Sequence, residues 1–364
     1  MKIKRRNFIL SIALMMAGII NAQTTGSWHM VRELPQKHFK QTIPVGNYSG
    51  ITHLYDDVYA MVSDKSDSAL YFNVRLYISK QTGELLQAEW LGGHGKADLI
   101  GLDNEAITRV SNRTVVIANE GKCRLKEYLL DSDSISMAYA TENSAIVDNN
   151  KKLWGWAMSA TEFYDNYSFE SATYDSVNHK LWTINESTMR RDGKPATPQN
   201  LCNNVLRLIS FDWNDHTKTP VAYLYRMDMP TTMKTAKTYV MGVSELCALP
   251  DGQLLVLERE AFIPKVKMGA FCQCKLYIID PSTFEPYAID RDIVPGAPYV
   301  EKRLLTSWRT SLTMVNQTWA NYEGMCLGPQ LENGDQVVVL VSDSQNGYAG
   351  ILRDWFKTIV ISKK

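Results

Sequence analysis

The chain has 364 residues, of which 39 are acidic and 39 are Lys or Arg, so it carries no net charge. There is no basic stripe or arginine-rich tract, which argues against a nucleic-acid partner. Beyond the N-terminus no run is long and apolar enough for a transmembrane helix, and 45% hydrophobic residues suffice for a sizeable core.

In chain order the first element is a basic stretch, Met1 to Arg6. An apolar run from Phe8 to Ile20 follows, and then Asn21-Ala22-Gln23. This is the layout of a secretory signal peptide cleaved after Ala22. The apolar run is short for a membrane anchor, and no Cys follows it to carry a lipid. The expectation is an exported protein, periplasmic or secreted. Residues 23–364 then form one domain of about 340 residues, a size that propellers and barrels reach.

One unit recurs along that domain. A small or aromatic residue and an acid open an apolar run, a turn follows, and a β-rich run ends in a second acid. The first copy is Tyr48-Ser49-Gly50-Ile51 with Tyr59 to Asp64, and it has Ser49 where the others have Glu. The second is Asn104-Glu105-Ala106-Ile107 with Val115 to Glu120. The third is Phe169-Glu170-Ser171-Ala172 with Leu181 to Glu186. The fourth is read as Ser244-Glu245-Leu246-Cys247 with Leu254 to Glu258, and the fifth is Tyr322-Glu323-Gly324-Met325 with Val337 to Asp343. Another β-like segment follows each copy, such as Val74 to Ile78 or Lys275 to Asp280. Units of roughly 55 to 80 residues with about four short strands each read as propeller blades. The expectation is therefore an all-β fold, a single β-propeller with five blades counted. A sixth blade has room in the spacers Thr141–Ser168 and Ala261–Ala320 or around the N-terminal segment.

The two runs of each copy form an antiparallel hairpin, so its two acids lie side by side at one end. If these are the inner strands, nine carboxylates crowd the channel mouth: Asp64, Glu105, Glu120, Glu170, Glu186, Glu245, Glu258, Glu323 and Asp343. Like charges a few ångströms apart cost on the order of 1 kcal/mol per pair even in water. A compensating cation is expected, and carboxylate oxygens suit Ca²⁺. Asn104, Asn119, Asn185, Ser63, Ser342 and Asn346 are candidates to complete its shell. Lys65, Lys122 and Arg259 adjoin second acids and are placed to pair with them or to meet an anionic group.

These residues resemble the family named for the esterase-like activity of phytase, exported bacterial propeller-like proteins. The likeness runs from about Gly46 to Ile361, through Val62-Ser63-Asp64, Asp103 to Ile107, Ala118 to Gly121, Leu255 to Arg259, Asn321 to Met325 and Val341-Ser342-Asp343. It implies a phosphoesterase or phosphodiesterase whose acid-bound Ca²⁺ holds phosphate. On that reading Glu105 or Glu258 acts as base and Arg259 steadies the phosphate of a small anionic substrate. The chain departs from the pattern at Ser49, and it lacks the dense set of Lys and Arg that a highly phosphorylated inositol calls for. The alternative is a non-enzymatic, calcium-stabilised propeller that binds a ligand or partner protein.

Other motifs lead elsewhere. Gly46-Asn47-Tyr48-Ser49-Gly50 has the spacing G-x-x-S-G rather than G-x-S-x-G and opens a strand, so it does not read as a nucleophile elbow. The six histidines fit no metal motif, and His53 reads as a core residue. Asp131-Ser132-Asp133 lacks the Gly and final Glu of a calcium loop. The tryptophans read as packing, with Trp154-Gly155-Trp156 and the Trp308/Trp319 region as candidate ligand contacts. The six cysteines show no zinc spacing, and some read as buried thiols.

Overall fold

Each hairpin of the repeat becomes the inner half of a four-stranded antiparallel sheet. The structure, a computed structural model, describes residues 27–95, 103–130, 147–148, 151–345, 347 and 352–364. The stretch read as a signal peptide, Asp131-Ser132-Asp133 and Asn346 lie outside the described residues.

Strand β1 (Trp28–Glu33) comes first and is used last. Blade one holds β2 (Tyr48–Tyr55), β3 (Val58–Ser63), β4 (Tyr71–Ile78) and β5 (Leu85–His94). Blade two begins with β6 (Asn104–Arg109), β7 (Thr114–Asn119) and β8 (Arg124–Leu129). A short pair, β9 (Val147–Asp148) and β10 (Lys151–Lys152), precedes β11 (Gly155–Ala157), which returns to flank β8. Blade three is β12 (Thr173–Asp175), β13 (Lys180–Ile184), β14 (Val205–Asp212) and β15 (Val221–Arg226). Blade four is β16 (Thr238–Ala248), β17 (Leu254–Ile263), β18 (Ala270–Ile279) and β19 (Lys302–Leu312). Blade five is β20 (Asn321–Gln330), β21 (Gln336–Asp343) and β22 (Phe356–Lys363), with β1 as its outer strand. The N-terminal segment thus completes the fifth sheet, and the spacer Ala261–Ala320 supplies strands to the fourth. Five four-stranded sheets are present among the described residues.

The inner strands make a closed circle. β2 lies beside β6, β6 beside β12, β12 beside β16, β16 beside β20, and β20 beside β2. A ring of side-chain acceptors ties each to the next. Thr52 accepts the Arg109 N–H at 3.1 Å, Thr108 that of Tyr174 at 3.1 Å, and Thr173 that of Ala248 at 2.9 Å. Cys247 and Cys326 hold the same place in blades four and five and accept from the N–H groups of Leu327 and His53. This gives two of the buried, unpaired thiols a structural role. Strands packed this closely exclude side chains at some points. A Cβ on Gly50 would lie 2.7 Å from the Ala106 Cα, and one on Gly324 would lie 2.9 Å from the Gly50 Cα.

The core is divided among the gaps between blades. Ile51, Met61, Val339 and Phe356 fill the gap between blades one and five; Val62, Tyr71 and Ile117 fill that between one and two. Phe169, Leu181 and Leu125 seal the gap between blades two and three, Ile184 and Val256 that between three and four, and Leu257, Cys272 and Tyr322 that between four and five. Trp154 and Trp156 belong to this packing, edge-on to Phe211, and not to a ligand face. The alternation of apolar and polar positions along each strand sets which side chains enter these seams.

Candidate functional site

A bulge in each inner strand decides where the first acid points. Pairing shifts by one residue between Tyr48 and Gly50, Asn104 and Ala106, Val243 and Glu245, and Tyr322 and Gly324. In blade three Phe169 pairs with Asn185 and Thr173 with Trp182, which is the same shift. The extra residue leaves the ladder and its side chain is re-aimed. Those residues are Ser49, Glu105, Glu170, Ser244 and Glu323. Their partners on the second strand or just past its end are Asp64, Glu120, Glu186, Arg259 and Asp343.

The structure therefore corrects the fourth copy by one residue. Val243 pairs with Glu258 and Gly242 with Arg259, so Glu258 stands where the other blades have Ser63, Asn119, Asn185 and Ser342. A one-residue slip in a strand sends a side chain to the opposite face. Glu258 turns away from the channel, accepting the Tyr225 hydroxyl at 2.7 Å and the Lys302 ammonium at 2.5 Å. Glu245 occupies the place of Gly50, Ala106, Ser171 and Gly324. Its carboxylate accepts the N–H groups of Ala172 and Leu246 at 3.1 and 2.9 Å, stitching blade four to blade three. Neither residue lines the cavity at the channel mouth, and the assignment of Glu258 as a base or metal ligand does not fit its position.

The other seven predicted carboxylates come together around a cavity of ≈ 870 Å³. One oxygen from each of Asp103, Glu105 and Glu120 lies within 4.8 Å of the others, and Glu120, Glu170 and Glu186 form a second such group. Arg259 supplies a covalently held cation. Its guanidinium donates to Glu170 and Glu186 at 2.8 Å each and to the Asn321 amide oxygen at 2.9 Å, with Glu323 at 3.3 Å. Lys65 pairs with Asp64 at the rim. Ser168 donates its N–H to Glu120 at 3.0 Å, and Gln345 donates its own to Asp343 at 2.6 Å. Asn104 and Asn119 bond each other at 3.0 Å, and Asn185 accepts the Arg207 N–H at 2.7 Å, so these amides are engaged in holding strands.

Crowding and burial favour the neutral acids. Burial first, then Glu170, Glu323 and Glu120, holds Glu105 well above the usual carboxylate range. Glu120 is pushed up to about 8 by burial and then by Glu170 and Asp103. Asp343 rises to about 7 by burial and the charge of Asp64. Burial raises Glu186 and Glu323 well above the usual range despite Arg259. Burial opposes the charge on Arg259, but Glu170, Glu186 and Glu323 hold it firmly protonated.

Two features of the site have weaker sequence signals. Asp103 and Asn321 stand at matching places just before the bulge, so the repeat contributes a third position to the ring. Asp103 lies one residue before β6, outside the acid–turn–strand–acid order of the repeat. The second feature is an apolar wall. The long strands of blade four overshoot the ring and carry Val240, Ala261, Ile263 and Leu312 to the cavity, where Trp319 joins them. Of the candidate aromatic contacts, Trp319 alone lines the cavity; Trp308 packs edge-on to Tyr322.

The family described as phytase-like, esterase-like activity of phytase, matches residues 43–345, a span that takes in every bulge and every carboxylate of the ring. The chain belongs to this family. Comparison with curated protein sequences gives no match. Among solved structures this phytase-like chain is similar to an α-L-arabinanase from Penicillium chrysogenum, at 11% identity and a TM-score of 0.39, covering 91% of this chain and 98% of that one. It is similar to virginiamycin B lyase from Staphylococcus aureus, at 9% identity and 0.34, covering 92% and 99%. It is also similar to a periplasmic gluconolactonase from Pseudomonas aeruginosa, at 12% identity and 0.30, covering 85% of each.

Proposed function

We propose that this phytase-like propeller is an exported hydrolase of phosphoric esters that works with Ca²⁺ held at the mouth of its channel. One observation carries the reading. Among the described residues, Glu170, Glu186 and Glu323 share Arg259, whereas Asp103, Glu105 and Glu120 have no Lys or Arg at ion-pair distance. Hard oxygen donors in a cluster short of positive charge fit Ca²⁺. Asp103, Glu105 and Glu120 would hold it, and a bound Ca²⁺ supplies Lewis-acid polarisation of a phosphoryl oxygen and a more acidic water.

The protein's own groups do the rest. Arg259 fixes Glu170, Glu186 and Glu323 and keeps their charge from adding to that of the metal group. Glu105, one of these three acids, is the group we assign to accept the proton of the attacking water. Lys65, beside Asp64, meets the small anionic substrate as it enters. The wall of Val240, Ile263, Leu312 and Trp319 excludes water and accommodates an organic substituent, which favours a mono- or diester with an apolar alcohol over a polyphosphate.

The test is calcium titration of the purified mature protein together with turnover of p-nitrophenyl phosphate and bis(p-nitrophenyl) phosphate, with and without Ca²⁺. Bound calcium and calcium-dependent turnover, both lost in Glu105→Gln, are expected. A second reading, a calcium-stabilised binding propeller, draws support from Arg259, whose terminal nitrogens are already engaged. Calcium binding without turnover would favour it, and absence of both would overturn the first reading.

A further inference from the structure

The same overshooting blade that walls the cavity ends in a crest of unusual composition. Three segments meet there: 229–237, 264–269 and 313–318. They are tied edge to edge, because Lys237 donates its N–H to the Ile263 carbonyl at 2.8 Å and Gly269 donates to that of Leu312 at 2.8 Å. The turn at 313–316 then projects beside the β17–β18 tip. Four lysines lie in these segments (Lys234, Lys237, Lys265 and Lys267) and not one Asp or Glu, in a chain whose charges otherwise balance. Between the lysines stand large apolar side chains turned to solvent: Met233 at 75% exposure, Val266 at 80%, Met314 at 88% and Val315 at 97%. Single exposed apolar residues are ordinary, but a cluster of them at loop tips marks a contact surface.

We propose that this crest docks the protein on an anionic lipid surface. Charge decides the partner. The core of a protein–protein interface is depleted in lysine. Apolar tips interleaved with lysines and free of acids match a bilayer, where the tips enter the headgroup boundary and the ammonium groups meet lipid phosphates. The crest also borders the cavity, since Val266, Lys267 and Met268 line it, so docking would bring the channel mouth to the lipid surface.

Co-sedimentation of the mature protein with vesicles tests this. Vesicles of equal parts phosphatidylcholine and phosphatidylglycerol should pull it down, and pure phosphatidylcholine should not. High salt should weaken the binding. Lys234→Ala/Lys265→Ala should cost roughly fivefold per lysine removed. Met314→Ser/Val315→Ser should weaken it as well, and these solvent-exposed positions leave folding intact, to be checked by Tm. Independently, Val315→Trp should show a blue-shifted emission with the anionic vesicles alone. The proposal is overturned by no binding, by equal binding to both vesicles, or by variants that bind like the parent. A concentration-dependent dimer abolished by Met314→Ser/Val315→Ser, without vesicle binding, would assign the crest to a second copy of the chain.

Discussion

Two buried arginines in this protein do opposite things. Arg207, fully buried in blade three, forms a two-pronged pair with Asp192 at 2.7 Å and donates to the carbonyls of Ala288, Ile289 and Arg291. One cation meets one anion and every donor nitrogen has a partner. Arg259 is almost as deeply buried, yet it faces Glu170, Glu186 and Glu323 together, and its Nε has no partner among the described residues. Beyond those acids lie Asp103, Glu105 and Glu120. A fold that needed only rigidity would use the first arrangement. The second gathers more carboxyl groups than one arginine can neutralise, so they ionise together only at a cost, and perturbed acids of this kind cluster at functional sites.

The largest effects should come from removing the arginines themselves. Arg207→Met leaves Asp192 buried and alone, and the expected loss is about 3–5 kcal/mol in urea unfolding. Arg259→Met leaves several carboxylates that already favour their neutral forms. Its cost should be large at pH 8 and shrink toward pH 5, where those acids take up protons. A cost for Arg259→Met that is the same at both pH values would break the distinction.

Next in size is the pH dependence of the calcium-free protein. Glu120 holds its proton to about 8 in the folded chain against an ordinary 4.5, and Asp343 to about 7 against 3.8. Between those values the folded state carries more protons than the unfolded one, so stability falls as pH rises through that window. Thermal melts should give a Tm several degrees lower at pH 8 than at pH 5. Saturating Ca²⁺ should recover the loss at pH 8 and release protons, seen as a buffer-dependent heat in titration calorimetry. A Tm that is flat across the window in chelator sinks the excess-charge argument.

A pair of glutamates sharpens the comparison further. Glu258→Gln breaks the contact with Lys302 and should lower stability by about 1–3 kcal/mol while leaving calcium affinity unchanged. Glu120→Gln removes a crowded charge, so it should raise the stability of the calcium-free protein at pH 8 and weaken calcium binding roughly tenfold or more. Both are read by chelator-controlled titration and thermal melts. The reverse outcome would restore Glu258 to the ring.

These two glutamates also mark how far sequence reading reaches. The repeat, the hairpins and the gathering of acids at one end were legible because each copy repeats the same order of acid, turn and strand. The register of the fourth copy was not, because a bulge inserts a single residue, and Val243-Ser244-Glu245 and Ser244-Glu245-Leu246 both put an acid before an apolar run. A cue existed nonetheless. Ser63, Asn119, Asn185 and Ser342 precede the channel acid, and Glu258 precedes Arg259 in the same way. The apolar wall had no comparable signal, since it depends on how far the strands of blade four outrun their neighbours.

The smallest expected effect, that of Cys326→Thr, belongs to a test of the neutral ring that closes the propeller. Thr52, Thr108, Thr173, Cys247 and Cys326 each accept one N–H from the next blade. Like Arg207, and unlike Arg259, this ring is satisfied. Cys326→Val keeps the shape but orphans the His53 N–H, and should cost about 1–3 kcal/mol. Cys326→Thr restores the residue of the first three blades and should stay within about 1 kcal/mol of the parent. If both variants cost the same, the hydrogen bond is not what joins blade five to blade one. The seam must then rest on the apolar packing of Ile51, Val339 and Phe356 between the two sheets.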